Sequence, residues 1–324
     1  MQWRRIFFIK KALLRWGFFA VFFMYNYGME IFKTLNYNPN LSLALGFFDG
    51  VHLGHKTVIE SAVNYARKNG NKSAVITFAE HPCCILRGIQ PEYILTKTER
   101  EKTIEALGVD YLYELDFMSI SNLTADEYLK DVLVKYFSPK SISTGWNHCF
   151  GCKKSGNVEF LQENQEKYNY KYFELPPKML DNEIISSTCI RNYLAKGKIE
   201  HVNKMLGRKF EISGEVIKGQ QIGRTIGFRT ANIKYPTELV ELPHGVYAVE
   251  TNFGKGVANY GSRPTVNGVG TLIEVHILNF NQDIYGKNLS IKFQKMLRPE
   301  KKFSSLEELK NQITKDIQQI QYQN

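Results

Sequence analysis

The stretch "LSLALGFFDGVHLGHKTVIESAV" (Leu41–Val63) decides the fold. Leu41, Leu43 and Leu45 alternate with small residues, as a buried strand does. Val58, Ile59, Ala62, Val63 and Ala66 recur at helical spacing, and Gly70 offers a C-cap. Gly46, Phe48, Asp49, Gly50, His52, Gly54 and His55 are packed between strand and helix. In open α/β sheets that edge binds ligands. A helix N-terminus favours an anion through its free N–H groups and dipole. Gly46, Gly50 and Gly54 predict close approach of backbone to ligand. His52 and His55, in the pattern H-x-G-H, predict donors to phosphate oxygens, where charge builds during attack at phosphorus. Either ring alone would read as structural. A metal pair is the weaker reading, because i, i+3 spacing has no third ligand nearby.

Outward from this stretch, strand and helix alternate. Ser73–Phe78, Asp110–Leu115 and Lys140–Thr144 read as strands. Thr96–Gly108 and Thr124–Phe137 read as helices, the second opened by a Thr124/Glu127 capping box. The order predicts a parallel sheet with helices on both faces. Helices follow at Ser187–Ala195 and Ile199–Leu206. Beyond a boundary near Leu206–Gly207 come short strands with Gly and Pro turns, which predict a small antiparallel barrel. A last helix carries a Ser304/Glu307 capping box and an apolar stripe of Leu306, Leu309, Ile313 and Ile317.

The chain of 324 residues has room for two domains. Half of its net charge of +10 comes from Arg4, Arg5, Lys10, Lys11 and Arg15, in an N-terminal segment that has no acid. Residues 1–28 are basic and aromatic. Their apolar run, Trp16–Tyr25, is too short to span a bilayer, and no small-x-small cleavage site follows. Met29 reads as the start of the folded enzyme, so the division is 1–28 as an extension, 29–206 and 207–324. Five cysteines without disulfide-framework spacing suit a reduced, cytoplasmic protein.

"GFFDGVHLGHKTVI" and "IISSTCIR" (Ile184–Arg191) together resemble the nucleotide-binding motifs of prokaryotic bifunctional riboflavin kinase/FAD synthetases. Further matches follow in order: "GRTIGFRTANI" (Gly223–Ile233), "HGVYAV" (His244–Val249), "YGSRPTV" (Tyr260–Val266), "IEVHILNF" with Glu274, "DIYGKNL" (Asp283–Leu289) and "LRPEKKF" (Leu297–Phe303). The resemblance implies a Rossmann-like nucleotidyltransferase domain, then a riboflavin kinase-like barrel with a C-terminal helix. It implies FMN adenylylation in the first half and riboflavin phosphorylation in the second. It places nucleotide or phosphate contacts at the opening loop, at Asn147, at Ser186, Ser187 and Thr188, and at Gly223, Arg224, Gly227, Thr230 and Asn232. Arg191 would counter triphosphate charge with His52 and His55. Thr230 and Asn232 would hold Mg2+ with ATP, and Glu274 would be the kinase base. The implied partners are ATP, riboflavin and FMN, without nucleic acid or stable membrane association; a homo-oligomer is left open. Flavin-stacking residues are not identified.

Three departures stand out. Arg229 replaces the family's usual proline, losing a fixed φ and adding charge. Asn147 replaces an aspartate, and Glu80 stands where proline is common. Either of the first two could leave only one activity. A flavin- or RNA-binding regulator on the same scaffold is a rival, ranked low because the charge concentrates at the N-terminus rather than in a basic, aromatic-interleaved stripe. A zinc site from His81, Cys83, Cys84, His148, Cys149 and Cys152 is conceivable, but a lone C-x-x-C is weak and the resemblance implies none.

Overall fold

The computed structural model describes residues 28–90, 92–219, 227–265 and 268–321, excluding the side chains of 262–270. The N-terminal segment up to residue 27, and the expected contacts Gly223 and Arg224, lie outside the described residues.

The first half is a six-stranded, all-parallel sheet. Its strands are β1 (Glu30–Phe32), β2 (Leu41–Leu45), β3 (Lys72–Phe78), β4 (Tyr111–Leu115), β5 (Ser141–Gly145) and β6 (Lys171–Leu175), in the order β1-β4-β3-β2-β5-β6. The chain leaves β2 for β3 on one side and later returns to β5 on the other. The gap between the C-terminal ends of β2 and β5 is therefore the switch point where such sheets take ligands.

All five residues of β2 are buried, as befits a central strand covered on both faces. Leu41, Leu43 and Leu45 enter one apolar cluster, while Ala44 enters the other. The small residues Ser42 and Ala44 thus share a face, and helix α1 (Leu53–Asn69) packs against this strand. The expected set Val58, Ile59, Ala62, Val63 and Ala66 is the buried face of α1, and Gly70 caps it with φ 68°. Helix α2 is Pro82–Arg87, and α3 is Lys97–Glu105, capped by Thr96. The Thr124/Glu127 capping box is present on α4 (Ala125–Glu127), but the helix then continues with π pairing over Tyr128–Phe137.

After α5 (Val158–Glu163) and the two-residue strands β7 (Met179–Leu180) and β8 (Glu183–Ile184) come α6 (Ser187–Ala195) and α7 (Ile199–Leu206), with the bounds expected. The second half is six antiparallel strands: β9 (Phe210–Glu215), β10 (Ala231–Lys234), β11 (Gly245–Thr251), β12 (Gly254–Thr265), β13 (Gly268–Ile277) and β14 (Asn288–Pro299). Their order is β10-β13-β12-β11-β14-β9. The Ile217 N–H donates to Asn232 O at 2.8 Å, so the chain leaving β9 meets β10 and nearly closes the barrel.

One buried cluster runs from Ala44 and Val58 through Ile190, Val202 and Met205 to Phe210, Tyr247 and Phe293. The two halves therefore share apolar core rather than only a linker. The last helix, α8 (Leu306–Gln321), differs from its sequence reading. Glu308 pairs with Ser305 and Ser304, one residue later than expected. Leu306 is 59% exposed, and the buried positions are Asp316 and Ile320.

Candidate functional site

The loop between β2 and α1 is strained. Phe48, Gly50 and Val51 all have positive φ, at 60°, 78° and 38°, a region that β-branched residues avoid. Several internal contacts hold it there. A Cβ on Gly46 would meet the Phe48 ring at 2.9 Å, one on Gly50 would meet Ile94 at 2.8 Å, and one on Gly54 would meet the His52 ring at 3.2 Å. At these positions the missing Cβ leaves room for the chain's own side chains.

His52 caps α1. Its Nδ1 accepts from the His55 N–H at 3.2 Å, and the two rings stack with centroids 3.6 Å apart. The Nδ1 bond leaves a neutral His52 with its proton on Nε2. Burial, then the nearby Arg208 guanidinium, pulls His52 down to about 4, so the ring is neutral at physiological pH. Burial, then His52, also holds His55 well below the usual imidazole range, against an opposing backbone contact from Asp49.

Asp49, expected among the nucleotide or phosphate contacts, has protein partners of its own. Its carboxylate is buried, accepting from the Ile94 N–H at 3.0 Å and from Arg191 Nη2 at 2.7 Å. A buried carboxylate would repel phosphate; here it orients Arg191. Ser187 Oγ donates to the Asp49 carbonyl at 3.0 Å, and Ser186 caps α6 by accepting from the Cys189 N–H. Thr188 is exposed. The structure thus brings the two motifs together across 138 residues of chain. Asn147 is exposed beyond the end of β5, on the same sheet edge.

Sequence reasoning missed the groups that support this edge. Arg100 lies over the Phe47 ring at 4.7 Å and pairs with buried Glu114 at 3.2 Å. His81 packs edge-on to the same Phe47 ring. Arg208 donates to Gly50 O and Val51 O. A lone arginine after a helix-capping glycine carries no sequence signal for such contacts.

A second cluster lies in the barrel, 240 Å³ in volume and lined by Thr230, Asn232, Arg229, Phe280, Asp283 and Tyr285 among others. Asn232 is 5% exposed and its Oδ1 has no hydrogen-bond partner. Glu274 faces Asn232 across β10–β13 and Asn259 across β12–β13, so the three share one face. Gly227 has φ 89° and open space where a Cβ would stand. Arg229 donates to Asn281 O at 3.2 Å, and its own carbonyl meets His276 Nδ1 at 2.8 Å. Among the described residues, no group of three or more His, Cys, Asp or Glu is arranged to hold a metal ion.

The two clusters coincide with two family matches. Residues 35–189 match FAD synthetase and residues 206–323 match riboflavin kinase. A bifunctional riboflavin kinase/FMN adenylyltransferase of Buchnera aphidicola subsp. Schizaphis graminum is 37% identical over 87% of this chain and 93% of its own. The protein of that name from Haemophilus influenzae is 35% identical over 86% and 92%. A crystal structure described as a macrolide-efflux protein from Streptococcus pneumoniae superposes with a TM-score of 0.82 at 31% identity, covering 91% of this chain and all of that one. Among the described residues no helix is long and apolar enough to cross a membrane.

Proposed function

Because the chain belongs to the bifunctional riboflavin kinase/FMN adenylyltransferase family, we propose that its two clusters divide the two reactions between them. The protein is a transferase with two activities, riboflavin kinase and FMN adenylyltransferase.

In the first half, a phosphate oxygen of FMN attacks the α-phosphorus of ATP. A new P–O bond forms, the α–β bond breaks and pyrophosphate leaves. The nucleophile is already an anion, so the site needs positioning and charge neutralisation more than a base. His52 Nε2–H and His55 donate to phosphate oxygens from the N-terminus of α1. Arg191, pre-oriented by Asp49, supplies the fixed positive charge. The observation that carries this reading is the junction of Ser187 and Arg191 with Asp49, which assembles two remote motifs at the switch point of the sheet.

In the barrel, the ribityl 5′-hydroxyl attacks the γ-phosphorus, ADP leaves, and Glu274 accepts the hydroxyl proton. Thr230 and Asn232 would hold Mg2+: a hydroxyl and a buried amide oxygen with no protein partner are the neutral oxygen donors a hard cation accepts. Bound with ATP, that ion supplies charge neutralisation at the terminal phosphates. The cytoplasm is the proposed location.

Incubation with riboflavin, ATP and magnesium tests the reading. FMN followed by FAD supports it; absence of both products overturns it.

A further inference from the structure

We propose that Arg208 is a positioning residue for adenylyl transfer, holding the strained loop that presents His52 and His55. The inference rests on the reading of that pair as the adenylyl-transfer site.

Arg208 belongs to the chain that leaves α7 for the barrel, remote in sequence from the loop it holds. Its Nη2 donates to Gly50 O at 2.7 Å and its Nη1 to Val51 O at 3.0 Å, across 158 and 157 residues of sequence. A third contact, Nη1 to Leu206 O at 3.4 Å, ties the same guanidinium to its own helix end. The two loop carbonyls belong to Gly50 and Val51, both of positive φ. A planar fork suits two neighbouring acceptors, which a single ammonium satisfies less well.

The geometry reaches the histidines through the backbone. The Val51–His52 peptide is planar, so fixing Val51 O fixes the His52 amide and the start of its side chain. His52 in turn caps α1 and stacks on His55. Loop 93–94 holds the other flank. The Ile94 N–H binds Asp49, while Tyr93 pairs by backbone with Glu238 and Val240 of the second half. Released from the fork, the strained Gly50–Val51 turn can relax and the ring pair lose its register.

Charge provides a second route. The charged and titratable groups that act on the two rings are Arg208, Arg191 and each other, with the Asp49 carboxylate bound to Arg191. Burial pulls the Arg208 guanidinium down to about 10, which leaves it charged at neutral pH. Its cation disfavours a second positive charge on His52.

The test compares wild type, Arg208→Lys and Arg208→Met in two assays on the same full-length protein: FMN plus ATP to FAD, and riboflavin plus ATP to FMN. We expect Arg208→Met to lower kcat for FAD formation by about 10-fold or more, since a misplaced donor forfeits transition-state stabilisation. Its KM for FMN changes by less than about threefold, as for an interaction made mainly in the transition state. Riboflavin phosphorylation stays within about twofold, which also reports an intact fold. The acid limb of FAD formation moves to higher pH in Arg208→Met, and Arg208→Lys keeps it near the wild-type position. Equal losses in both assays would reduce Arg208 to a structural residue and overturn the proposal, as would unchanged FAD formation or an unmoved acid limb. Failure of the wild type itself to make FAD would instead overturn the function on which the inference rests.

Discussion

At the residue scale, His52 is held neutral, the state its proposed role as a donor requires. The His55 N–H occupies its Nδ1, and burial together with Arg208 holds its pKa at about 4. Between about pH 6.5 and 4 the unfolded chain binds a proton that the native ring refuses. Stability therefore falls as pH drops through that window, by up to about 3 kcal/mol from His52 alone. His52→Gln should flatten this acid dependence in denaturant titrations at pH 7 and pH 4.5; an identical pH slope would contradict the assignment. Arg229 makes a different point. The proline expected there from the resemblance would fix the turn into Thr230; here the Arg229 side chain bonds Asn281 O, while its carbonyl, which a proline would keep, meets His276. Arg229→Ala should raise KM in the riboflavin kinase assay about three- to tenfold, the range for one lost hydrogen bond, with little change in kcat. Steady-state kinetics of FMN formation would check this, and a selective loss of kcat would contradict it.

At the element scale, α8 is fastened by Ile317 and Ile320, which pack with Val246, Ala248 and Val257, and by one ion pair. Arg298 Nε and Nη2 bind Asp316, which is 1% exposed and also accepts from Gln312. Arg298→Ala leaves that carboxylate buried without its cation, at a cost of about 3–5 kcal/mol. Denaturant unfolding would measure it, and Arg298→Ala combined with Asp316→Leu should recover much of the loss; a single variant as stable as wild type would refute the account. The helix also shows what the sequence made legible. Strand and helix types in β2, α1, α6 and α7 follow from apolar spacing, because each buries a face set by its own period. The short strands β1, β6, β7 and β8 were not read, since their ordering depends on neighbours distant in sequence. The shift of the α8 cap from Ser304 to Ser305 turns on adjacent serines and adjacent glutamates that spacing alone cannot separate. The π pairing of Tyr128–Phe137 likewise has no local signature in the sequence.

At the scale of the whole molecule, the motifs mark the two candidate regions, but the way the chain unites them is tertiary. Asp49 binds Arg191 from α6, and Arg208 reaches back to Gly50 and Val51. None of these pairs follows from residue spacing. A single buried cluster then carries the apolar core from sheet to barrel, so each half supports the other's shape. The proposed chemistry nevertheless divides: the proposed phosphate donors sit at the sheet edge, while Glu274 and Asn232 face each other in the barrel. The central claim is this division of labour. The most direct measurement is product analysis by chromatography for wild type, His52→Ala and Glu274→Gln, each given ATP and magnesium with riboflavin or with FMN. The account predicts FAD from both substrates for the wild type. His52→Ala should stop at FMN, and Glu274→Gln should make FAD from supplied FMN but almost none from riboflavin. FAD from riboflavin at the wild-type rate in either variant, or loss of both activities in both, would contradict it.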